Sequence, residues 1–192
     1  EADRMLDMGF MDEVKTIITD CPRQRQTLLF SATFPREIET LSKEIQRDPQ
    51  MVVVETQVES DKLKQLVFQC TKERRNQTVV ELLAAYRPHT ALLFCETRQD
   101  CRVLTAFLVG RGASALALHG EMEQRDRDDV LLQFSNGSTS ILVATNLAAR
   151  GLDIPDLPFV LICELSPEPE SHLHRIGRTG RAGQEGLALS IV

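Results

Sequence analysis

The sequence predicts an α/β fold in which a doubly wound parallel sheet follows the end of another domain of the same class. From Gln65 to the end of the chain, short apolar runs of strand length alternate with segments whose apolar residues recur at helical spacing. Such alternation is typical of a parallel sheet with helices on both faces. A shorter set of helix and strand patterns precedes it, and a polar segment without periodicity separates the two.

The first segment, residues 1–55, contains two helical patterns and two short strand-like runs. Met11–Cys21 has apolar residues at helical spacing, and a second helix is expected to begin at Pro35, because proline tolerates the first helical turn. Strands are expected at Thr27–Phe30 and Met51–Val54. These elements are too few to close a hydrophobic core, so the segment is interpreted as the remnant of a larger domain.

Residues 56–64 are interpreted as a linker, which leaves residues 65–192 as the second domain. Its expected strands are Gln65–Cys70, Ala91–Cys95, Ala113–Leu118, Ile141–Thr145, Phe159–Cys163 and Leu187–Val192. Its expected helices are Asn76–Ala85, Gln99–Gly110, Gln124–Phe134 and Ser171–Gly177. Asn136-Gly137 is a natural helix stop. Ligands of such sheets gather at the carboxyl ends of the strands, so the residues that follow strands are the first functional candidates.

Composition narrows the possible functions. The formal net charge of −6 argues against a protein that coats nucleic acid by bulk electrostatics, although a local basic groove remains possible. Tryptophan is absent and Tyr86 is the only tyrosine. Base stacking on aromatic side chains is therefore disfavoured, and any nucleic acid is expected to be bound through its backbone with little sequence specificity.

Cysteine usage and hydropathy set further bounds. The five cysteines form no Cys-x-x-Cys pair, which argues against a zinc site and a disulfide framework. Several lie in apolar runs, as buried thiols of a reducing compartment do. No apolar run approaches the roughly 20 residues that span a bilayer. A cytoplasmic protein without membrane contact is expected.

The arginine segment, from His174 to Arg181, places four cationic or cationisable side chains in eight residues without an acid. Arg175, Arg178 and Arg181 recur at every third residue, so on a helix start or a tight turn they point roughly the same way. Arginine suits the charge that develops on a transferring phosphoryl group, because its planar fork stays protonated and binds two oxygens. A solvated basic turn is the alternative, and this segment alone leaves both open.

Four short motifs together resemble those of one enzyme family. Glu1-Ala2-Asp3, Ser31-Ala32-Thr33, the run from Ala144 to Asp153, and the arginine segment resemble motifs II, III, V and VI of the DEAD-box RNA helicases, in order and at similar spacing. The resemblance covers essentially the whole chain, and residues 123–128 and 168–175 resemble the bacterial DbpA-like group in particular. It implies two RecA-like domains that close on ATP and locally unwind short RNA duplexes.

For the first domain, the resemblance implies roles for both acidic and hydroxyl side chains. Glu1 would be catalytic and orient the water that attacks the γ-phosphate, while Asp3 would belong to the nucleotide site. Ser31 and Thr33 would bond to this acidic motif and couple the ATP state to strand separation. Without the resemblance, Glu1 and Asp3 would be interpreted as a frayed acidic terminus and Thr33 as a helix N-cap.

For the nucleotide side of the second domain, the resemblance makes Arg178 and Arg181 catalytic contacts to the γ-phosphate. His174 would couple the ATP and RNA sites. Asp153 would accept hydrogen bonds from the ribose of ATP, and Gly151 would let the backbone pass close to it. Asp153 has an alternative interpretation as a turn residue.

The RNA side follows from the same resemblance. The residues implied to bind RNA are Thr145, Arg127, Gly120 and Arg98. Gln124 and Arg127 form a Q-x-x-R pattern, to which a capped helix with internal ion pairs is a strong alternative. Asn146 stands where the family has aspartate. The change removes a charge and keeps an acceptor, so we expect function to survive it.

Two residues are expected to support the arginine segment. Phe94, in a stretch that resembles motif IV, is expected to pack and to prop that segment. Arg175 is expected to pair with a carboxylate.

A missing motif limits what the chain alone is expected to do. No Gly-x-x-x-x-Gly-Lys-Ser/Thr occurs, so the phosphate cradle of this class is absent. ATP and Mg²⁺ are the cofactors that the resemblance implies, but both need the segment upstream, and no complete metal site is expected here. The chain is therefore expected to be an inactive fragment of an RNA-stimulated ATPase.

The expected partner is RNA, with ribosomal RNA and ribosome biogenesis as candidates, and the expected state is a monomer. Two alternatives remain open. One is a binding module that holds RNA or a partner protein without catalysis. The other is a DNA helicase of the wider superfamily.

Overall fold

The computed structural model describes residues 1–31, 33–53, 62–149, 157–166, 169–180 and 185–192. The chain divides into two compact units, Glu1–Glu55 and Thr56–Val192.

Three helices make up the regular structure described in the first unit: α1 (Ala2–Asp7), α2 (Met11–Asp20) and α3 (Arg36–Ile45). Helix α3 follows Pro35 as expected and buries Ile38 and Leu41. Helix α1 was not expected from the pattern, because it is only six residues long.

The prediction of two strands in the first unit is wrong. Residues 27–30 and 51–53 form no strand, and Val54 lies outside the described residues. Their apolar side chains face solvent, with Phe30 74% and Val52 84% exposed. A strand needs a neighbour to complete its ladder of hydrogen bonds, and the described part of this unit has no strand to pair with. Instead, the Phe30 carbonyl accepts hydrogen bonds from the amino group of Glu1 and the N–H of Ala2.

The second unit is a six-stranded parallel sheet with helices on both faces, which confirms the predicted fold class. Its strands are β1 (Leu63–Phe68), β2 (Ala91–Cys95), β3 (Ala115–Leu118), β4 (Ile141–Thr145), β5 (Phe159–Ile162) and β6 (Gly186–Ile191). Its helices are α4 (Arg75–Tyr86), α5 (Arg98–Val109), α6 (Gln124–Ser135), α7 (Asn146–Ala149) and α8 (Pro169–Ile176), with a 3₁₀ turn at Lys72–Arg74. The spatial order of the strands is β1-β6-β5-β2-β4-β3.

Most strands and helices of the second unit begin or end one or two residues away from the predicted bounds, and one helix, α7, was not predicted. Strand β1 begins at Leu63, inside the predicted linker, because Leu63 is buried and pairs with Gly186 of β6. Helix α7 follows β4 without an intervening loop, so no turn signal separated it from the strand in the sequence.

The core lies on both faces of the sheet, and β2 shows how it is built. Leu93 and Cys95 pack with residues of α4 and α5, whereas Leu92 and Phe94 pack with residues of α6, α7 and α8. All five residues of β2 are buried, which explains its uninterrupted apolar run. Burial of each large aliphatic side chain contributes about 1.5–3 kcal/mol.

The sheet brings the ends of three strands to one level. Cys95 at the end of β2 is in register with Thr145 at the end of β4, and Leu118 of β3 is in register with Ala144. Helix α5 begins directly after β2, because the side chain of Thr97 accepts a hydrogen bond from the Asp100 N–H at 3.0 Å. Residues that follow β2, β3 and β4 therefore share one edge of the sheet.

Candidate functional site

In the first unit, the acidic end of the chain contacts the Ser-Ala-Thr segment. The Asp3 carboxylate accepts hydrogen bonds from the Thr33 N–H at 3.0 Å and the Thr33 hydroxyl at 2.8 Å. The Asp3 N–H donates to Ser31 Oγ at 3.1 Å. The N-cap of α3 is Pro35, so the alternative interpretation of Thr33 as an N-cap is wrong. Asp3, Ser31 and Thr33 thus lie together, while the side chain of Glu1 is exposed.

In the second unit, Arg175 is a buried member of the arginine segment. Its side chain is only 1% exposed, and it donates to Glu96 Oε2 at 2.8 Å and to the Glu164 carbonyl at 3.1 Å. Its guanidinium lies 5.8 Å from the ring centroid of Phe94. Arg75 forms an ion pair with the Glu164 carboxylate at 2.8 Å. The predicted carboxylate partner of Arg175 and the packing role of Phe94 are both confirmed.

Hydrogen bonds to Leu157 fix the backbone after α8 at Arg178, the candidate arginine finger that is expected to contact the γ-phosphate. The Leu157 N–H donates to the Arg178 carbonyl at 3.2 Å, and the fully buried Thr179 hydroxyl donates to the Leu157 carbonyl. Gly180 has a φ of +70°, and a Cβ there would lie 3.2 Å from Leu63 Cβ. This turn therefore requires glycine. His174 lies in the last turn of α8. Arg181 lies outside the described residues.

The end of β4 is also tied to α8. Thr145 is buried, and the Asn146 side-chain amide donates to the hydroxyl of Ser171, which is buried in α8. The departure from aspartate at position 146 is thus accommodated by a hydroxyl that can accept. Sequence reasoning missed Ser171, because the pairing spans 25 residues. Gly151 and Asp153 lie outside the part of the chain that the structure describes.

Charged side chains converge between α5 and the end of β3. Arg98 Nη1 lies 2.5 Å from Glu121 Oε1, and Arg102 Nη2 lies 2.8 Å from Glu121 Oε2. Arg102 Nε also donates to His119 Nε2 at 3.1 Å. Gly120 lies between His119 and Glu121. Two of the residues implied to bind RNA, Arg98 and Gly120, therefore lie beside an acid that sequence reasoning did not consider.

In helix α6, the two residues of the Q-x-x-R pattern make different kinds of contact: Gln124 bonds within the helix and Arg127 bonds to another helix. Gln124 Nε2 donates to Asp128 Oδ1 at 2.7 Å, which is the local helix contact of the plainer interpretation. Arg127 instead reaches the Ala148 carbonyl of α7 at 3.4 Å, and its buried Nε has no hydrogen-bond partner among the described residues. Arg127 thus connects α6 to the segment that follows β4.

The described residues hold no group of three or more His, Cys, Asp or Glu side chains arranged to bind a metal ion.

Cys95, Cys101 and Cys163 are buried free thiols at the carboxyl side of the sheet. Burial raises the pKa of Cys101 to about 12, and a hydrogen bond with Cys163, together with burial, raises the pKa of Cys95. A raised pKa disfavours the thiolate, so Cys95 and Cys101 are poorly suited to act as nucleophiles. No helix within the described ranges is long and apolar enough to cross a membrane.

Acidification is expected to destabilise the second unit through two histidines. Burial lowers the pKa of both His119 and His172 below the ordinary value of 6.5, with Arg102 and Arg175 adding to the respective shifts. The unfolded chain therefore takes up protons first as the pH falls below about 6.5, and the free energy of unfolding decreases there. Urea denaturation of the chain at a series of pH values would measure this. A His119→Gln variant should lose part of the dependence.

The control for that measurement is His89→Gln, which replaces an exposed histidine. It should retain the pH dependence of the parent chain. An unchanged dependence in the His119→Gln variant would contradict the assignment to this side chain.

Comparisons with known proteins agree with the motifs. Residues 73–183 match the model of the helicase conserved C-terminal domain, and residues 1–41 match the model of the DEAD/DEAH box helicases. The chain is 46% identical over 190 residues to the ATP-dependent RNA helicase DbpA of Escherichia coli, covering 99% of this chain and 42% of that protein. It is 39% identical to DbpA of Bacillus subtilis, covering 100% of this chain and 40% of the relative. The chain thus spans about two fifths of the length of these relatives.

Solved structures show the same fold. Saccharomyces cerevisiae Dbp5, in a structure bound to RNA and ADP BeF3, matches with a TM-score of 0.84 and 32% identity, over 100% of this chain and 51% of that one. A DEAD box protein from Methanococcus jannaschii matches with a TM-score of 0.66 and 38% identity, over 100% of this chain and 52% of that one.

Proposed function

The chain belongs to the DEAD-box RNA helicase family, and on that basis we propose that it is the part of an ATP-dependent RNA helicase that supplies the arginine finger and one half of the RNA path. In this proposal residues 1–55 are the end of the first RecA-like domain, and the linker is shorter than the predicted 56–64, because β1 of the second RecA-like domain begins at Leu63. The two domains close on ATP and on one RNA strand, and a short duplex opens locally.

The main support for the proposal is that residues following β2, β4 and β5 all form hydrogen bonds with helix α8. Glu96 after β2 and the Glu164 carbonyl after β5 both accept from Arg175, and Asn146 after β4 donates to Ser171. Helix α8 leads directly to Arg178. The segments that carry the candidate RNA contacts are thus physically linked to the segment that carries the candidate finger.

On the nucleotide side, Arg178 and Arg181 would bind the oxygens of the γ-phosphate and stabilise the charge that develops there. Asp153 would accept from the ribose hydroxyls, with Gly151 beside it. Glu1 would orient the attacking water. Positively charged forks suit this role because they bind phosphate oxygens in pairs and stay protonated.

Both hydrogen bonds from Thr33 end on one oxygen of the Asp3 carboxylate, Oδ2, and the described residues hold no group of three or more metal-ligating side chains. Asp3 would instead link the nucleotide site to Ser31 and Thr33, and so report its state. His174, in the last turn of α8, would do the same in the second domain.

On the RNA side, Thr145, Arg98, Arg127 and the backbone at Gly120 would contact phosphates at the shared strand edge. Such contacts position a strand without reading its sequence. Ribosomal RNA as the substrate, a monomeric state and a cytoplasmic role in ribosome biogenesis belong to the same proposal, and the resemblance to the DbpA-like group supports them.

The test compares RNA-stimulated ATP hydrolysis by this chain with that by a version extended upstream through a phosphate-binding loop. We expect turnover only in the extended protein, since the chain lacks the loop that holds the phosphates. Turnover by the pure chain would contradict its proposed inactivity. Inactivity of both, with salt-dependent RNA binding that ATP does not alter, would favour a non-catalytic RNA-binding module instead.

A further inference from the structure

Glu121 is held by two arginines that stand one turn apart on α5. Arg98 and Arg102 each approach a different oxygen of the same carboxylate, at 2.5 Å and 2.8 Å. All three side chains remain between 43% and 58% exposed. A single carboxylate thus occupies a site formed by two guanidinium groups that solvent, and any ligand in solvent, can reach.

The second arginine is oriented by a buried residue. Arg102 Nε donates to His119 Nε2 at 3.1 Å, and His119 is only 6% exposed. His119 can accept this bond only when it is neutral, and burial keeps it so by lowering its pKa. The Arg102 side chain is therefore held at its Nε, and its Nη2 points to the Glu121 carboxylate.

The position of this site in the sheet suggests its ligand. Strand β4 lies between β2 and β3, so the Arg98 and Glu121 segments flank the end of β4, which bears Thr145. Gly120 is the immediate neighbour of Glu121. The paired arginines thus lie at the edge where the proposed function places the RNA backbone, and this inference rests on that proposal.

The energetics allow exchange of one anion for another. An exposed ion pair contributes only about 0–1 kcal/mol, so displacement of Glu121 costs little. Arginine forks bind phosphate and carboxylate through the same pairs of parallel N–H···O bonds. A backbone phosphate can therefore take the place of the carboxylate without rearrangement of the two arginines.

We propose that Arg98 and Arg102 form a subsite for one RNA backbone phosphate, and that Glu121 occupies this subsite in the free protein as an intramolecular competitor. Glu121 thereby weakens RNA binding and makes occupancy of the subsite depend on a phosphate that can displace it. His119 is a positioning residue, because it acts only through Arg102.

The experiment measures binding of a short fluorescein-labelled single-stranded oligouridylate to this chain by fluorescence anisotropy at low salt. Glu121→Gln should strengthen binding about three- to tenfold, because both forks are released from a competing charge. Arg102→Gln should weaken binding by a similar factor. In the Arg98→Gln, Arg102→Gln background, the further change Glu121→Gln should have less than about a twofold effect.

The matched control is Glu123→Gln, which removes an equal charge from an exposed side chain two residues away. A strengthening equal to that of Glu121→Gln would show that bulk charge is responsible, and this would overturn the inference. So would an effect of Glu121→Gln that persists without both arginines. If the parent chain does bind RNA, these outcomes refute the subsite alone. If it binds none at any salt concentration, the proposed RNA contacts fail and the subsite fails with them.

Discussion

Replacement of Arg178 by alanine, in a protein extended upstream through a phosphate-binding loop, is expected to lower RNA-stimulated ATP hydrolysis by about three orders of magnitude or more. An arginine that stabilises the transferring phosphoryl group contributes about 10³–10⁵ in rate. The turn that carries Arg178 is fixed by bonds between the backbone at Leu157 and both Arg178 and Thr179. The loss of rate should therefore come from the missing guanidinium rather than from a displaced loop. Initial rates at saturating ATP and RNA would measure it.

Two variants serve as controls for this result. Arg178→Lys keeps the charge but loses the planar fork, so it should recover only part of the rate. Arg74→Ala removes a largely exposed arginine of the same unit and should leave the rate nearly unchanged. A loss of less than about tenfold in Arg178→Ala, with urea denaturation unchanged, would exclude Arg178 as the finger.

Replacement of Glu96 by alanine is expected to destabilise the second unit by about 3 kcal/mol. Arg175 is buried, and the Glu96 carboxylate is its paired counter-charge, while its other acceptor is the Glu164 carbonyl. Removal of one partner of a buried pair leaves an uncompensated charge in a medium that solvates it poorly, which costs about 3–5 kcal/mol. We take the lower end of this range because Glu96 itself is about one third exposed. Urea denaturation followed by circular dichroism would measure the change.

The matched control is Glu81→Ala, which breaks the exposed pair with Arg74 at 3.8 Å and should cost less than about 1 kcal/mol. Glu96→Gln keeps an acceptor for Arg175 and should fall between the two. If Glu96→Ala and Glu81→Ala lowered the free energy of unfolding equally little, Arg175 would have another partner. The attachment of α8 to the sheet would then not depend on Glu96.

The fold followed from sequence where burial alone decides local structure. Strands β2 and β4 have the predicted bounds because every residue in them is buried, so the apolar run and the strand coincide. The two strands predicted in the first unit failed for the opposite reason. Thr27–Phe30 and Met51–Val53 have the right composition, but a strand is defined by its neighbours, and no pattern inside a segment shows whether they are present.

The candidate site was predictable in its residue types and not in its contacts. A carboxylate partner was expected for Arg175 of the arginine segment, yet that partner, Glu96, lies 79 residues away in the sequence. Two further contacts likewise depend on which strands are neighbours: the hydrogen bond between Asn146 and Ser171, and the ion pairs of two arginines with Glu121. Crossovers set that order, and local periodicity carries no information on it.

The position of β6 between β1 and β5 has a consequence for synthesis on the ribosome. Strand β1 is made first in this sheet, yet β6, its strand partner among the described residues, is made last. The nascent unit therefore leaves β1 without this partner, and one edge of β5 open, until β6 emerges. Strands that await a distant partner are slow to form and prone to aggregation. Loss of β6 would remove the strand partner of β1 and leave β5 paired with β2 alone, so these six residues hold two neighbouring strands in the sheet.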